Sequence, residues 1–331
     1  MLLNSKSNCM HQVPFKSIAE YQSVDEATFE DIQRLSRPAI LKGCNFGECI
    51  DKWTLDYITT KLDNESIVIH ESDQTDLDFL SKNFKYRRCK FSEFSKRLKV
   101  NEQDSHIYLR SISTDDRSKK PARIEDDFQS LRDDLKPPSF IPFGASNPLY
   151  HSSVLRIASS NVQIWTHFDT YNNVLCQTEG SKRIILLPPD DIKYLYIKGD
   201  KSMVNNFDNW SESLKKYPLL QHANPHECIL APGDVLFIPA FWWHNIRTIT
   251  HNDQERYSIG FNLFWRDPMI DSLYPPRDVY GNKNLTTFDA ALACLERAIN
   301  HLEKLPAKYK EFYKMMLLEE HKAKFSVDDT I

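Results

Sequence analysis

The sequence has few glycines and no long apolar run. Only 8 of its 331 residues are glycine, and no glycine-rich phosphate loop is present. No stretch is apolar over the roughly 20 residues that a membrane helix needs. The first residues, Met1 to Lys6, lack the charged-then-apolar order of a secretion signal. We therefore expect a chain without a membrane segment or secretion signal, acting in the cytoplasm or nucleus.

Paired cysteines and an excess of positive charge are also lacking. The number of cysteines is odd, they are scattered, and none forms a C-x-x-C pair, so we expect buried free thiols rather than a zinc site or disulfide framework. The net charge of -4 argues against a protein that coats nucleic acid indiscriminately, although it leaves room for a local basic face. The seven cysteines are Cys9, Cys44, Cys49, Cys89, Cys176, Cys228 and Cys294.

What the sequence does contain is typical of a globular protein rich in β-strands. Aromatic residues make up 12% of the chain, a composition that suits sheets with stacked side chains. Between Ser153 and Trp265 about eight short strands alternate with turn residues, and eight is the number at which a jelly roll closes. The pattern predicts a mainly β fold with helices, built on a double-stranded β-helix.

The regions on either side of these strands have different secondary-structure patterns. Helix-like and strand-like patterns are mixed before about residue 150, including a helix over 25–35. After Pro275-Pro276, apolar residues recur every three or four positions from Phe288 to Leu302, which is one face of an amphipathic helix. We therefore predict a mixed N-terminal region at 1–150 that packs on the barrel, a jelly-roll core at 151–267 and C-terminal helices at 268–331.

Two stretches far apart in the chain carry residue types that bind metal. In an extended strand His167 and Asp169 would leave the backbone on one face. His244 follows a Pro-Gly-Asp turn and an apolar strand that would bring it back toward them. Two imidazoles and one carboxylate form the facial triad of non-haem Fe(II) oxygenases. A bare His-x-Asp is common by chance, and the alternative is a surface histidine beside a turn aspartate.

A second pair of histidines is a weaker candidate for binding metal. His222 and His226 are four residues apart, but Pro225 between them makes a helix unfavourable, and no H-E-x-x-H motif is present.

A basic stretch runs from Lys82 to Lys99, with aromatic residues between the cations. Cations for phosphate and rings for stacked bases are what a single-stranded or loop nucleic acid requires. The alternative is a solvated strand and helix whose aromatics face the core. The sequence leaves both interpretations open.

Residues 153–265 resemble a JmjC domain, the cupin-type double-stranded β-helix of the 2-oxoglutarate-dependent oxygenases. The segments that carry the likeness are Trp165 to Asp169 and Pro232 to Asn245. Over nearly its whole length the chain is also similar to the hydroxylases of tRNA wybutosine synthesis, notably at 78–84, 108–111, 194–199 and 280–283.

The resemblance implies specific roles. It implies that His167, Asp169 and His244 bind Fe(II), and that 2-oxoglutarate and O2 are cosubstrates. It implies that Lys182, together with Tyr108 and Thr166, binds the distal carboxylate of 2-oxoglutarate, and that Asn173 and Asn262 line the pocket. A buried carboxylate needs such cations and hydroxyl donors to offset its lost hydration.

The resemblance further implies that the enzyme hydroxylates the wybutosine precursor side chain next to the anticodon of phenylalanine tRNA. Its partner would then be the anticodon loop of that tRNA. The resemblance also implies a homodimer built from the C-terminal helices. Two alternatives are a protein hydroxylase or lysine demethylase, and a non-catalytic cupin-like binding module.

Overall fold

The computed structural model describes residues 15–100, 105–113, 120–250 and 256–325; Cys9 lies outside them. Among these residues, those up to Asp271 together with Pro276–Lys283 form one compact unit, and Ser272–Pro275 with the residues from Asn284 onward form a second. No described helix is long and apolar enough to cross a membrane.

The described residues form seventeen strands and eight α-helices. The strands are β1 (Lys16–Ser17), β2 (Ala19–Gln22), β3 (Ala39–Lys42), β4 (Ser66–Ser72), β5 (Asp76–Leu77), β6 (Lys85–Lys90), β7 (His106–Arg110), β8 (Tyr150–Ser159), β9 (Gln163–His167), β10 (Asn172–Glu179), β11 (Ser181–Leu187), β12 (Ile197–Lys198), β13 (Lys201–Ser202), β14 (His226–Leu230), β15 (Val235–Ile238), β16 (Trp243–Ile249) and β17 (Tyr257–Trp265). The helices are α1 (Glu26–Leu35), α2 (Cys49–Lys52), α3 (Leu55–Leu62), α4 (Phe91–Val100), α5 (Ile124–Asp127), α6 (Trp210–Lys216), α7 (Thr286–Leu302) and α8 (Ala307–Phe325). Short 3-10 helices occupy Gln129–Asp134, Pro189–Tyr194, Pro218–His222 and Pro268–Leu273.

The strands of the first unit form two sheets. One runs β1-β14-β11-β16-β9-β13-β12, with β5 also paired to β9, and the other runs β2-β3-β15-β10-β17-β8-β7-β4-β6. Each of the eight strands expected between 153 and 265 is present. The prediction of a mainly β jelly-roll fold with helices is therefore confirmed.

The central strands are apolar at consecutive positions because both of their faces are covered. Along β10, Leu175 joins the core between the sheets with Leu186 and Leu236, whereas the adjacent Val174 and Cys176 join a different core cluster. That second cluster contains side chains of α1, α3 and α4. Since successive side chains of a strand point to opposite faces, the helices cover the outer face of the second sheet.

The N-terminal residues take part in the sheets themselves. Strand β3 pairs with β15, and β7 pairs with β8, so residues before 150 extend the sheet that contains the jelly-roll strands. The helix predicted over 25–35 is confirmed as α1, whose N-cap Asp25 accepts a hydrogen bond from the Thr28 amide at 2.9 Å. The proposed boundaries at 150 and 267 remain predictions.

The basic stretch forms β6 and the helix α4 that follows it. Phe91 and Phe94 are fully buried, and Arg97 and Lys99 form ion pairs with acidic residues. These features are typical of a solvated strand and helix with an aromatic core face. Tyr86 is the exception, because it is 64% exposed.

The cysteines of the described residues are free, as expected. Five are buried, Cys294 is exposed, and none forms a disulfide within the described ranges.

Candidate metal centre and adjoining pockets

Two neighbouring antiparallel strands bring the histidines together. His167 at the end of β9 lies directly opposite His244 in β16, and their ring centroids are 4.3 Å apart. Strand β9 ends at His167, so Asp169 lies in the following loop and not on the strand as predicted. Its backbone carbonyl accepts a hydrogen bond from the Phe241 amide at 2.8 Å, which holds this loop beside the residues that lead into β16.

The Asp169 carboxylate closes the group. Its Oδ2 lies 3.6 Å from His244 Nε2, and the ligand atoms of the three residues all lie within 4.8 Å of one another. Among the described residues this is the one such cluster of His, Cys, Asp and Glu. Burial raises the pKa of Asp169, and His244 opposes this shift.

Backbone carbonyls orient both imidazoles. His167 Nδ1 lies 2.8 Å from the Trp165 carbonyl oxygen, and His244 Nδ1 lies 3.0 Å from that of Trp242. A carbonyl only accepts, so each Nδ1 donates its hydrogen and each Nε2 keeps a lone pair. Burial lowers the pKa of both histidines, which favours the neutral, metal-binding form. The residues thus fit a divalent cation: two oriented lone pairs and a buried carboxylate converge on one point.

A narrow pocket leads from the three residues into the core. Lys182 lines it and is buried, and its Nζ donates to Gln177 Oε1 at 2.6 Å. It forms no ion pair with a carboxylate in the described residues. Burial, reinforced by the charge of Arg156, lowers its pKa to about 7. A Cβ atom at Gly260 would lie 2.7 Å from the Cys176 carbonyl oxygen and 3.1 Å from Lys182 Nζ, so this position beside the ammonium requires glycine.

Arg156 connects the polar residues of this pocket. It donates to Tyr108 Oη at 2.5 Å and to Asn262 Oδ1 at 2.6 Å. Asn262 in turn donates to Asn173 Oδ1 at 2.9 Å. Tyr108, Lys182 and Asn262 line the pocket together with Arg156. Asn173, which was expected to line it, does not, and it supports the pocket through its hydrogen bond with Asn262. A small anion beside the metal position would therefore meet two cations.

An outer chamber of about 310 Å³ opens on the same metal position. It shares His167, Asp169, Tyr108 and Arg156 with the inner pocket. Aromatic side chains dominate its remaining wall, and Phe84 stacks against one of them, Trp165, at an interplanar angle of 9°. The aromatic lining comprises His70, Phe79, Tyr86, Trp165 and Tyr280.

Comparison with known proteins places this arrangement in a family. The model of the cupin-like domain matches residues 25–271. The chain is 39% identical over 302 residues to tRNA wybutosine-synthesizing protein 5 of Danio rerio, covering 88% of each chain. It is 39% identical over 284 residues to the Homo sapiens protein of the same name, covering 84% of this chain and 86% of the relative.

The chain belongs to the tRNA wybutosine-synthesizing protein 5 family of cupin-like proteins. It is also 38% identical over 302 residues to tRNA wybutosine-synthesizing protein 4 of Neurospora crassa, where the match covers 89% of this chain but only 24% of the relative. The cupin-like match includes both sheets' jelly-roll strands and all three members of the candidate metal centre.

Thr166 does not join the pocket of this cupin-like fold, contrary to the sequence-based expectation. Because it lies next to His167 on β9, its side chain points to the opposite face of the strand. Its hydroxyl donates to the Val204 carbonyl at 2.6 Å. The threonine that lines the pocket is Thr248 of β16.

Arg156 is the residue that the sequence reasoning missed. It lies within strand β8, where the sequence predicts only a strand of the jelly roll. A single arginine inside a strand that is otherwise buried was the available signal, since a charge is rarely placed there without a partner or a function. His222 and His226 lie outside the metal cluster.

We predict that removing one imidazole weakens metal binding strongly. His244→Ala should lower the affinity for Co(II), used as an air-stable probe, by more than about 100-fold, because even residues that only orient a ligand contribute about 10- to 100-fold. Isothermal titration calorimetry measures this affinity. The matched control is His222→Ala, which should bind Co(II) like the unsubstituted protein. Equal affinities for His244→Ala and His222→Ala would place the metal elsewhere.

Proposed function

We propose that this protein is an Fe(II)- and 2-oxoglutarate-dependent hydroxylase of the wybutosine precursor side chain of phenylalanine tRNA. The observation that carries the proposal is the adjacency of two features. A two-histidine, one-carboxylate centre opens directly onto a pocket in which a buried lysine has no acidic partner among the described residues.

The residues that would hold Fe(II) are His167 and His244, through Nε2, and Asp169, through its carboxylate. This ligand set leaves coordination positions open for cosubstrates. When bound, Fe(II) with 2-oxoglutarate and O2 supplies the oxidising power to convert a carbon–hydrogen bond to a hydroxyl while 2-oxoglutarate becomes succinate and carbon dioxide. The protein's part is to bind, orient and exclude water.

The inner pocket would hold 2-oxoglutarate. Lys182 binds its distal carboxylate, and Tyr108, whose hydroxyl oxygen already accepts a hydrogen bond from Arg156, is free to donate its own proton to the same group. Apolar side chains form the remaining wall and keep water from the reacting end. They are Ala158, Val162, Ile164, Leu175, Ile238 and Ile246.

The outer chamber would hold the modified base. The relatives are named for tRNA wybutosine synthesis, and aromatic walls are suited to stacking an unpaired base from a loop. Tyr86, the exposed aromatic of the basic stretch, lines this chamber. The basic stretch would therefore contact the substrate through the Tyr86 ring. An intact ligand triad and Lys182 count against a non-catalytic binding module. The proposed substrate agrees with a cytoplasmic or nuclear location.

We expect succinate release that depends on tRNA. Protein supplied with Fe(II), 2-oxoglutarate and O2 should release succinate faster with tRNA carrying the wybutosine precursor than with protein extract, because the chamber is built for a flat base. His167→Ala should abolish the signal through loss of a metal ligand. Stimulation by protein extract alone would favour the protein-hydroxylase alternative, and turnover by His167→Ala would refute the metal assignment.

We predict that 2-oxoglutarate binding depends on pH through Lys182. Its pKa of about 7 rises when a carboxylate binds, so binding takes up a proton above pH 7. The dissociation constant should therefore stay flat below about pH 7 and increase by up to roughly tenfold per pH unit above it. Calorimetry with the Fe(II) protein without O2 measures this. Lys182→Met should bind weakly with no such dependence, and the control Lys198→Met should keep it; a dependence that persists in Lys182→Met would contradict the assignment.

We further propose that the second unit mediates a homodimer. Apolar side chains on one face of α7 remain solvent-exposed, with Phe288 at 56% and Leu295 at 43%. No residue of α7 or α8 is buried in the described chain. A second copy of the same helices could cover these faces.

Charges on this face should separate the subunits. Leu295→Glu combined with Ile299→Glu places two carboxylates on the apolar face, where burial would be unfavourable, so sedimentation should detect monomers. Glu296→Gln, a change between the two on the same helix, should leave the dimer intact. A protein that is monomeric without any substitution would rule out the dimer.

A further inference from the structure

Two arginines face each other across adjacent strands beside the candidate metal centre. Arg110 of β7 and Arg156 of β8 are direct partners in the antiparallel ladder. Direct partners project from the same face of a sheet at short range, and like charges placed there repel each other. Both residues are half-buried, so water screens this repulsion only in part.

No carboxylate of the described residues forms an ion pair with either arginine, although the charge of Asp169 acts on both. Arg156 bonds to Tyr108 and Asn262, which are both uncharged. Within the described residues, Arg110 has one weak hydrogen bond, 3.5 Å from Nη1 to the Ser111 carbonyl oxygen. Burial, with a further contribution from Arg156, lowers the pKa of Arg110 to about 10, while Tyr108 and Asp169 oppose this shift. A buried charge without an ion-pair partner is unfavourable, and a bound anion would relieve this cost.

Arg110 faces the outer chamber and not the inner pocket. It lines the chamber, whereas Arg156 lines both cavities. The third cation that lines the chamber is Lys201, and it forms an ion pair with Asp200 at 2.5 Å. Asp169 belongs to the metal centre. Among the described lining residues, Arg110 is thus the cation whose charge remains available to a molecule in the chamber.

A short loop fixes the orientation of this guanidinium. The Tyr280 ring lies 4.9 Å from the guanidinium carbon of Arg110. Asp278 caps the loop by accepting hydrogen bonds from the amides of Tyr280, Gly281 and Lys283 at 2.9 to 3.1 Å. A cation–π contact with this ring restrains the guanidinium, and its N–H groups can still meet a bidentate partner.

We propose that Arg110 determines substrate specificity by binding a carboxylate on the side chain of the base in the outer chamber, with Tyr280 positioning the guanidinium. The inference rests on the proposed function and specifies its substrate as a base whose side chain carries a negative charge. A carboxylate matches the planar guanidinium in two parallel hydrogen bonds. A tRNA backbone phosphate has the same charge, and the experiment separates the two.

The test compares two forms of one substrate. They are tRNA whose modified guanosine has a side chain with a free carboxylate, and the same tRNA after methyl esterification of that carboxylate. Binding without O2 and turnover with O2 are both measured. The unsubstituted protein should prefer the acid by about 10- to 100-fold, the typical effect of a hydrogen-bonded charged pair. Arg110→Gln should lose this preference and keep the KM for 2-oxoglutarate.

A matched control removes a cation outside the chamber. Lys85 lies in β6 next to Tyr86 and is exposed. Lys85→Gln should affect the acid and the ester equally and keep the preference. Arg110→Lys, which keeps the charge but not the bidentate geometry, should restore part of the preference and guards against misfolding of Arg110→Gln.

Three outcomes would overturn the inference. An equal affinity of the unsubstituted protein for acid and ester would indicate a phosphate ligand, and a preference that survives in Arg110→Gln would assign it to another residue. A raised KM for 2-oxoglutarate with unchanged preference would place Arg110 in the cosubstrate site. Absence of turnover by the unsubstituted protein with any tRNA would refute the hydroxylase, while the binding preference would still decide the role of Arg110.

Discussion

The pairing of β9 with β16 is the constraint on which the site depends. It places His167 opposite His244 although 76 positions separate them in the sequence. Strand β16 is held from its other side by β11, where Leu186 pairs with His244. A shift of one residue in this register would move the imidazole to the opposite face of the sheet. The apolar core between the sheets, which includes Leu186, therefore also fixes the metal ligands.

Unpaired positive charge is the second property of the site. Lys182, Arg156 and Arg110 extend from the inner pocket to the outer chamber, and none forms an ion pair with an acid among the described residues. Elsewhere in the same unit other arginines are neutralised, including Arg97 by Glu71 and Arg183 by Glu227. Stability alone would favour ion pairs with acidic residues for these three cations as well. Cations kept without partners beside a cavity indicate a binding site for anions, and bound anions would stabilise the fold.

The two cavities differ in the chemistry of their linings and therefore suit different ligands. The inner pocket combines apolar walls with two cations, which suits a small dianion. The outer chamber adds aromatic rings, which suit a flat base. Both meet at Asp169 and His167, so a cosubstrate and a substrate could approach the metal position from different sides. The loop that carries Tyr280 closes part of the chamber and is held by Thr170, next to Asp169, through the Gly281 carbonyl.

The sequence by itself determined the local features. Alternation and turn residues identified the strands of the jelly roll, and residue types identified His167, Asp169 and His244, because these signals depend on neighbours in the chain. The resemblance to the JmjC family placed Thr166 in the pocket, although the period of two along β9 turns its side chain away from that of His167.

Only the tertiary structure decided which remote residues share a cavity. The pairing of Arg110 with Arg156 and the position of Lys182 beside Gly260 depend on register between strands that are distant in sequence. No periodicity within a single segment records that register, because it is fixed by packing between the sheets.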